Sequence, residues 1–487
     1  MDGTLALGTD RPALVDRPAV RVAAVTSGGT VLVAAIAVAA AHGGFTQNVI
    51  LPDGWGPWPT GSAASSGWLA VELLLVGLLC MVWLTVSRYC LAQPIAARPK
   101  TAVLSAVAVA WSFPLLLTGP LGSLDVFSYA AVGRLADLGL NPYHVGPGIL
   151  ADEYAAAVSP MWRTTPTPYG PVQVELLRLA AAIAGPDVGT AVLLVRVLAI
   201  AGLVGAVLVT VRAALPEDRS TVVLLTALNP VVLVTVVSGS HLDVIVGGLA
   251  VLVVLLTRAG RTSWAMAAAI LACLFKLPGA VLVGYVLLDA LRRTPSAERR
   301  RKLGSALATA VAVTLAAWAL LPDAFGWVGA LGVPGTTRGG MAPSTWLSWL
   351  IALVTGNITE PGLTTAFTIG RTLTATAGAL GAAALLLRAT GRATDRAAYA
   401  GVGWALVVVS LSAPSTFPWY LTWGLFAIAI GGGRRSREAI AVLCAAFCVV
   451  GVFSGSLASA VALLVVGLLA GTLAWRGRRE RLCATVG

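Results

Sequence analysis

Long stretches of this chain carry almost no charge, and they recur from one end to the other. Residues 22–41, 101–119, 188–211, 221–237, 242–257, 303–321, 397–413 and 456–475 each hold at most one charged side chain. About 20 consecutive apolar residues cross the ~30 Å hydrocarbon core of a bilayer, so each run reads as a membrane span. The overall balance agrees: 57% of the 487 residues are hydrophobic and 11% charged, against roughly a quarter charged in a soluble domain. A soluble enzyme, a DNA-binding module and a receptor with a single anchor are excluded. The sequence predicts an all-α polytopic membrane protein.

The net charge of +12 is explained by where the basic residues sit, so no nucleic-acid partner is expected. Clusters at Arg11–Arg21, Arg88–Lys100, Arg212/Arg219, Arg258/Arg261, Arg292–Lys302, Arg388–Arg396, Arg434–Arg437 and Arg476–Arg481 hold 26 of the 33 basic residues. All fall between apolar runs, and placing them all in the cytoplasm makes the spans alternate correctly. The spans are then 20–42, 67–87, 101–119, 188–211, 221–238, 241–257, 262–275, 277–291, 303–321, 363–388, 397–413, 418–431, 438–453 and 456–475. These are about 12–14 transmembrane helices in one integral-membrane unit, residues 1–487, with the tails 1–21 and 476–487 both cytoplasmic. The first run is too long for a signal-peptide core and reads as a retained helix. Residues 262–291 must fold as a hairpin broken at Lys276-Leu277-Pro278-Gly279, because one long helix would put the Arg292 cluster on the wrong side. Cys80, Cys90, Cys273, Cys444, Cys448 and Cys483 show no disulfide framework and no metal-ligand spacing.

This topology assigns the outer face a short loop at 43–66, a large loop at 120–187, a second at 322–362, and the turns around His241, Lys276 and Ser415–Tyr420. Within the large loop, Asp125–Leu138 reads as an amphipathic helix and Val172–Ile183 as a second apolar one. Trp346–Thr355 is short for a span and is expected along the outer interface.

The unusual polar residues collect on that outer side. Asp125, just after the third apolar run, suits a general base that takes a proton from an acceptor hydroxyl; it equally suits a helix N-cap. His241 and Asp243, in "SGSHLDVIVGG", are costly at membrane depth and therefore functional candidates, or a lone interfacial histidine beside a capping aspartate. Lys276 stands in an outer hairpin of a chain that writes nearly every cation as Arg. Its ammonium suits a phosphate, or it snorkels to the interface. Arg338, with the membrane-embedded Arg196 and Arg371, either adds to an anionic-lipid pocket or pairs with carboxylates. Tyr143, Trp162, Tyr169, Trp419, Tyr420 and Trp423 lie among prolines and glycines, as sugar-stacking platforms or as an interfacial aromatic belt. An outward carboxylate, phosphate-suited cations and aromatic platforms together imply a sugar moved from a lipid phosphate, which also accounts for the lack of a nucleotide-binding domain.

These residues carry a family resemblance. The strings "DVFSYAAVGRL", "GLNPYHVGP", "SPMWRTTPTPYGP", "NPVVL…SGSHLD", "FKLPG" and "PWYLTW", in that order over about residues 110–425, resemble the actinobacterial polyprenol-phosphate-mannose-dependent α-1,6-mannopyranosyltransferases of lipomannan and lipoarabinomannan synthesis, which are GT-C glycosyltransferases. The resemblance implies a multi-pass enzyme of the plasma membrane with a periplasm-facing site. Its donor would be polyprenyl phosphomannose, and its acceptor a mannan or phosphatidylinositol-mannoside-type glycolipid. It places the base of an inverting transfer on Asp125 and the family's His-Asn-acidic motif on His241-Leu242-Asp243, with Leu replacing Asn. It implies donor-phosphate contacts from Lys276, His241 and Arg338, and sugar or acceptor contacts from Asp243, Tyr129, Asn141, Tyr143, Trp162, Tyr169, Trp419 and Tyr420. No metal and no cofactor are expected. Two alternatives stay open: the same fold with another polyprenyl phosphosugar such as an arabinofuranose donor, or a flippase or exporter of lipid-linked glycans.

Overall fold

The computed structural model describes residues 18–42, 66–94, 98–321, 323–335, 338, 341–391 and 393–451. The expected final span at 456–475, the C-terminal tail, most of the N-terminal tail, most of the 43–66 loop and Cys483 lie outside the described residues. Helices α1 (Pro18–Ala41), α2 (Ser66–Ala92) and α3 (Thr101–Leu116) precede α4 (Asp125–Asp137) and the short α5 (Glu153–Ala157) and α6 (Pro160–Arg163). Then follow α7 (Pro171–Ala184), α8 (Val188–Ala213), α9 (Arg219–Leu225), α10 (Val244–Arg258), α11 (Thr262–Phe275), α12 (Ala280–Arg293) and α13 (Ser296–Leu320). The chain continues through α14 (Pro343–Val354), α15 (Gly362–Ala389), α16 (Asp395–Ser412), α17 (Thr422–Gly431) and α18 (Arg434–Gly451).

Among the described residues, four helices are long and apolar enough to cross a membrane, Ala70–Ala92, Val188–Ala213, Ser296–Leu320 and Gly362–Ala389. Shorter apolar helices stand among them. Leu74, Met81, Val109, Phe113, Leu193, Val204, Val311, Leu315, Trp318 and Leu380 are exposed, an apolar surface of the kind a lipid bilayer covers. The fold is an all-α polytopic membrane protein.

At its centre α10 packs between α8 and α17, and glycine permits the approach. A Cβ on Gly247 would stand 2.3 Å from the Thr422 carbonyl oxygen, and one on Gly248 would stand 2.9 Å from Ala206 Cβ. Small residues let membrane helices pack backbone to backbone, where van der Waals contact replaces the hydrophobic drive.

The hairpin at Lys276 forms as expected: α11 ends at Phe275, a short 3-10 turn covers Leu277–Gly279, and α12 begins at Ala280. Three expectations need correction. The span 221–238 is not continuous, because Pro230 cannot continue the α9 ladder. Asn229 bridges the break by donating to the Leu225 carbonyl and accepting from Val231 N, and a π-helical turn, Val232–Ser238, follows. Arg196 braces this broken region, donating to the carbonyls of Leu116, Thr118 and Ser238 and to the Ser240 hydroxyl; such partners are what allow irregular backbone at membrane depth. Finally, α4 does not lie on a surface as an amphipathic helix. Nine of its 13 residues are buried, against α7 and α8.

The two ends of the bundle differ in character. At one end Asp218 meets Arg437 at 2.9 Å, Arg396 at 2.7 Å and Arg98 at 4.0 Å. Beside them Arg258 meets Asp395 at 2.6 Å and Asp289 at 3.7 Å. Every basic cluster represented here is one expected to be cytoplasmic. Asp243 stands just before α10 and Arg258 closes it, so about 22 Å of helix, at 1.5 Å per residue, separates this charge lattice from the residues described next.

Candidate active site

The end of the bundle opposite the charge lattice encloses a cavity of about 530 Å³. Its polar head is lined by Asp125, Trp162, Tyr169, Lys276, Trp419 and Tyr420. Its other walls are apolar: Val281 of α12, Ala375 and Ala379 of α15, Val409 of α16, and Leu331 and Val333 of a 3-10 stretch. The lining combines charged and aromatic residues with apolar side chains from three helices.

Asp125 is the first residue of α4, and Leu124 takes the N-cap position. Its carboxylate is not spent on capping. Instead Trp162 Nε1 donates to Asp125 Oδ1 at 2.9 Å, and the Ser123 hydroxyl accepts from Asp125 N. Burial pushes the carboxyl up to about 6; the Trp162 hydrogen bond, the charge of Lys276 and Ser123 oppose the shift, while Asp243 adds to it. An acid of that strength is ionised at neutral pH yet accepts a proton more readily than a surface aspartate.

Lys276, expected as a free phosphate ligand, is already paired. Its Nζ lies 2.7 Å from Asp243 Oδ1, and Trp423 Nε1 donates to the same oxygen at 2.7 Å. Three rings surround the ammonium, those of Tyr420 at 4.4 Å and of Tyr169 and Trp423 at 5.3 Å, a cation–π arrangement. Pro278 and Gly279, by ending α11 and turning the chain, bring Lys276 to the cavity wall.

Behind that wall sits a second layer. His241, Asp243 and Tyr129 are buried and do not line the cavity. Tyr129 lies one helical turn after Asp125, and its hydroxyl is 2.7 Å from His241 Nδ1. The His241 ring stacks on Trp419 at 3.6 Å, and Trp419 stacks in turn on Phe417 at 4.7 Å. Leu242 is also buried, so an apolar side chain suits the position. His241 thus joins Tyr129 to Trp419 of the wall, and Asp243 joins Lys276 of the wall to Trp423.

Three expected site residues lie away from the cavity. Arg338 is half-exposed and pairs with Glu360 at 2.6 Å. Asn141 donates to Asp323 Oδ2 at 2.7 Å, and Tyr143 lines a separate hollow beside them. Arg371, packed over Phe367 and bonded to the Gly335 carbonyl, is likewise elsewhere. Two residues escaped the sequence reading: Ser128 and Thr167 line the cavity with buried hydroxyls that have no hydrogen-bond partner. Ser128 was findable, three residues after Asp125 on the same helix face. Among the described residues no three His, Cys, Asp or Glu side chains cluster as a metal site, and Cys80, Cys90, Cys273, Cys444 and Cys448 are free.

Known proteins share this chain's sequence over most of its length. Residues 25–292 match the family model described as the α-(1→6)-mannopyranosyltransferase N-terminal domain, and residues 344–477 match the MptB C-terminal domain. The chain is 30% identical over 378 residues to α-(1→6)-mannopyranosyltransferase A of Mycobacterium tuberculosis, covering 76% of this chain and 72% of that protein. A second α-(1→6)-mannopyranosyltransferase of the same organism is 29% identical, covering 70% and 67%. α-(1→6)-mannopyranosyltransferase B of Corynebacterium glutamicum is 26% identical, covering 67% and 58%. No solved structure matches the chain at a comparable level of significance. An all-helical membrane fold, a cavity with a half-buried carboxylate at its polar head and this breadth of matching sequence lead to one conclusion: the chain belongs to the α-(1→6)-mannopyranosyltransferase family of membrane enzymes.

Proposed function

We propose that this protein transfers mannose from a polyprenyl phosphomannose to the 6-hydroxyl of an α-1,6-mannan or phosphatidylinositol-mannoside-type glycolipid. The reaction takes place at the outer face of the plasma membrane, with both chain termini in the cytoplasm. The observation that carries the reading is the lining of the cavity. A lipid phosphosugar needs a polar recess for its sugar and phosphate that continues into an apolar channel for its chain. The 530 Å³ cavity is lined for both, by Asp125 and Lys276 and by apolar side chains of α12, α15 and α16.

In this reading Asp125 accepts the proton of the acceptor hydroxyl. The freed oxygen attacks the anomeric carbon from the face opposite the phosphate, so a β-linked donor gives an α-linked product. The bond to the phosphate oxygen breaks, and its electron pair leaves with polyprenyl phosphate. Trp162 fixes the direction of the carboxylate. Lys276 lies on the cavity wall with one proton donated to Asp243 and presents the rest of its charge to the departing phosphate. Phosphate carries its own negative charge well as a leaving group, so the reading assigns no step to a metal. Ser128 and Thr167 offer their hydroxyls to the sugar, and the exposed edge of the Tyr169–Trp419–Tyr420 wall offers it an apolar face.

The test uses purified protein in nanodiscs with an α-1,6-dimannoside acceptor and, separately, polyprenyl phosphomannose and polyprenyl phosphoarabinofuranose. The reading predicts a product from the mannose donor alone, digested by an α-1,6-specific exomannosidase. Transfer from the arabinose donor instead would overturn the donor assignment. Movement of intact lipid-linked glycan with no new glycosidic bond would make the protein a transporter.

A further inference from the structure

Asn141 and Tyr143 are absent from the main cavity because they belong to a second hollow. This cleft, of about 150 Å³, is lined by Asn141, Tyr143, Glu175, Arg178 and Asp323 together with apolar surface from Leu140, Pro142 and Val174. It is far smaller than a pocket for a whole ligand, for which ~300 Å³ is a lower bound, and fits a single small ring.

Its chemistry is organised. Asn141 holds Asp323 at 2.7 Å, and Glu175 grips Arg178 through both oxygens at 2.9 and 3.0 Å from Nε. Carboxylates that accept and a guanidinium that donates, set above an apolar floor, suit the alternating hydroxyl and C–H faces of a hexose. A second observation points to a ligand independently: Tyr143, only 5% exposed, lines the cleft with a hydroxyl that has no hydrogen-bond partner. A buried polar group left without a partner costs ~1–3 kcal/mol, and a bound hydroxyl would satisfy it.

The cleft and the cavity stand back to back. Tyr169 lines the cavity while Pro171, two residues on, lines the cleft. Thr167 of the cavity donates its backbone N–H to the carbonyl of Pro142 of the cleft. Along α4, Asp125 at the cavity and Ala136 at the cleft are about 16 Å apart at 1.5 Å per residue. A glycan whose terminal hydroxyl meets Asp125 spans that distance within a few sugar units.

We propose that the Asn141–Tyr143–Asp323 cleft is a distal subsite that binds an interior hexose of the acceptor chain, so that long acceptors are used in preference to short ones. The inference rests on the mannan-acceptor reading above. The test compares an α-1,6-dimannoside with an α-1,6-pentamannoside, for wild type, Asp323→Gly and Arg178→Met. Asp323 has φ of +47°, so glycine suits its backbone and the variant removes the carboxylate alone.

Wild type should use the pentamannoside with a higher kcat/KM. Each variant should lose at least ~10-fold of that gain, the loss expected when hydrogen bonds to a charged group disappear. Binding of labelled pentamannoside to Asp125→Asn protein, with and without Asp323→Gly, reads the same loss with chemistry switched off. A wild type indifferent to length, a gain retained in both variants, or an equal loss with both acceptors would overturn the subsite and leave the transferase intact. Failure of wild type to glycosylate either mannoside would instead overturn the reading beneath it.

Discussion

The two ends of the helical bundle treat charge in opposite ways. At the arginine-rich end, carboxylates are held in ion pairs: Asp218 alone is shared by Arg98, Arg396 and Arg437, and Arg258 meets both Asp289 and Asp395. These pairs fasten α9, α10, α12, α16 and α18, or the segments beside them, to one another. At the other end, Asp243 has Lys276 while Asp125 has only the indole N–H of Trp162 as its nearest donor. Paired charge braces the fold, whereas charge held with weak compensation keeps the capacity to take up a proton.

The largest effect tests the uncompensated end. Asp125→Asn should lower the rate of mannose transfer by ~10²–10⁴-fold, the range for a general base. It should also unfold at a higher temperature than wild type at pH 7. The sign follows from the raised pKa of about 6. The ionised carboxylate is disfavoured by burial, so native stability gains from protonation as pH falls from 6 toward the ordinary value of 3.8, and asparagine removes the penalty above that window. Thermal unfolding across pH 4–8 checks this. The ion-paired end should do the reverse. Asp218→Ala leaves Arg437 buried without its partner, and a loss of ~3–5 kcal/mol is expected, read in detergent unfolding, while transfer per folded molecule stays near wild type.

A smaller effect sharpens the role of the indole. Trp162→Phe keeps the ring but removes the hydrogen bond, which lowers the Asp125 pKa. The acid limb of the pH–rate profile should therefore move to higher pH, with transfer at neutral pH down by ~10-fold, the cost of a hydrogen bond to a charged group. The smallest concerns Arg338, whose half-exposed pair with Glu360 is of a kind worth ~0–1 kcal/mol. Arg338→Ala should leave transfer near the wild-type rate, although the family resemblance implies a donor-phosphate contact for this residue.

That contrast marks what a single sequence yields. The apolar runs and basic clusters gave the helical membrane architecture and the Lys276 hairpin, because span length and the position of arginines are local properties. The short strings around Asp125, Lys276 and Trp419 were legible as polar or aromatic groups out of place in a membrane. Partnership was not legible. Trp162 reaches Asp125 across 37 residues, Tyr129 reaches His241 across 112, and Asn141 reaches Asp323 across 182. No periodicity encodes such separations. Hence Trp162 read as a sugar platform, His241 as a phosphate ligand and Lys276 as a free cation, while the structure adds a bond from Trp162 to Asp125, one between His241 and Tyr129, and one from Lys276 to Asp243. The break at Asn229-Pro230 had a visible signal in its proline, masked by the apolar run around it.

The claim that Asp125 is a poised base and not a structural charge is tested most directly by the pH dependence of kcat/KM for wild type with polyprenyl phosphomannose. The account predicts an acid limb at about pH 6, absent from the residual activity of Asp125→Asn. A limb near the ordinary aspartate value of 3.8, or one at pH 6 that survives the Asp125→Asn substitution, would contradict it.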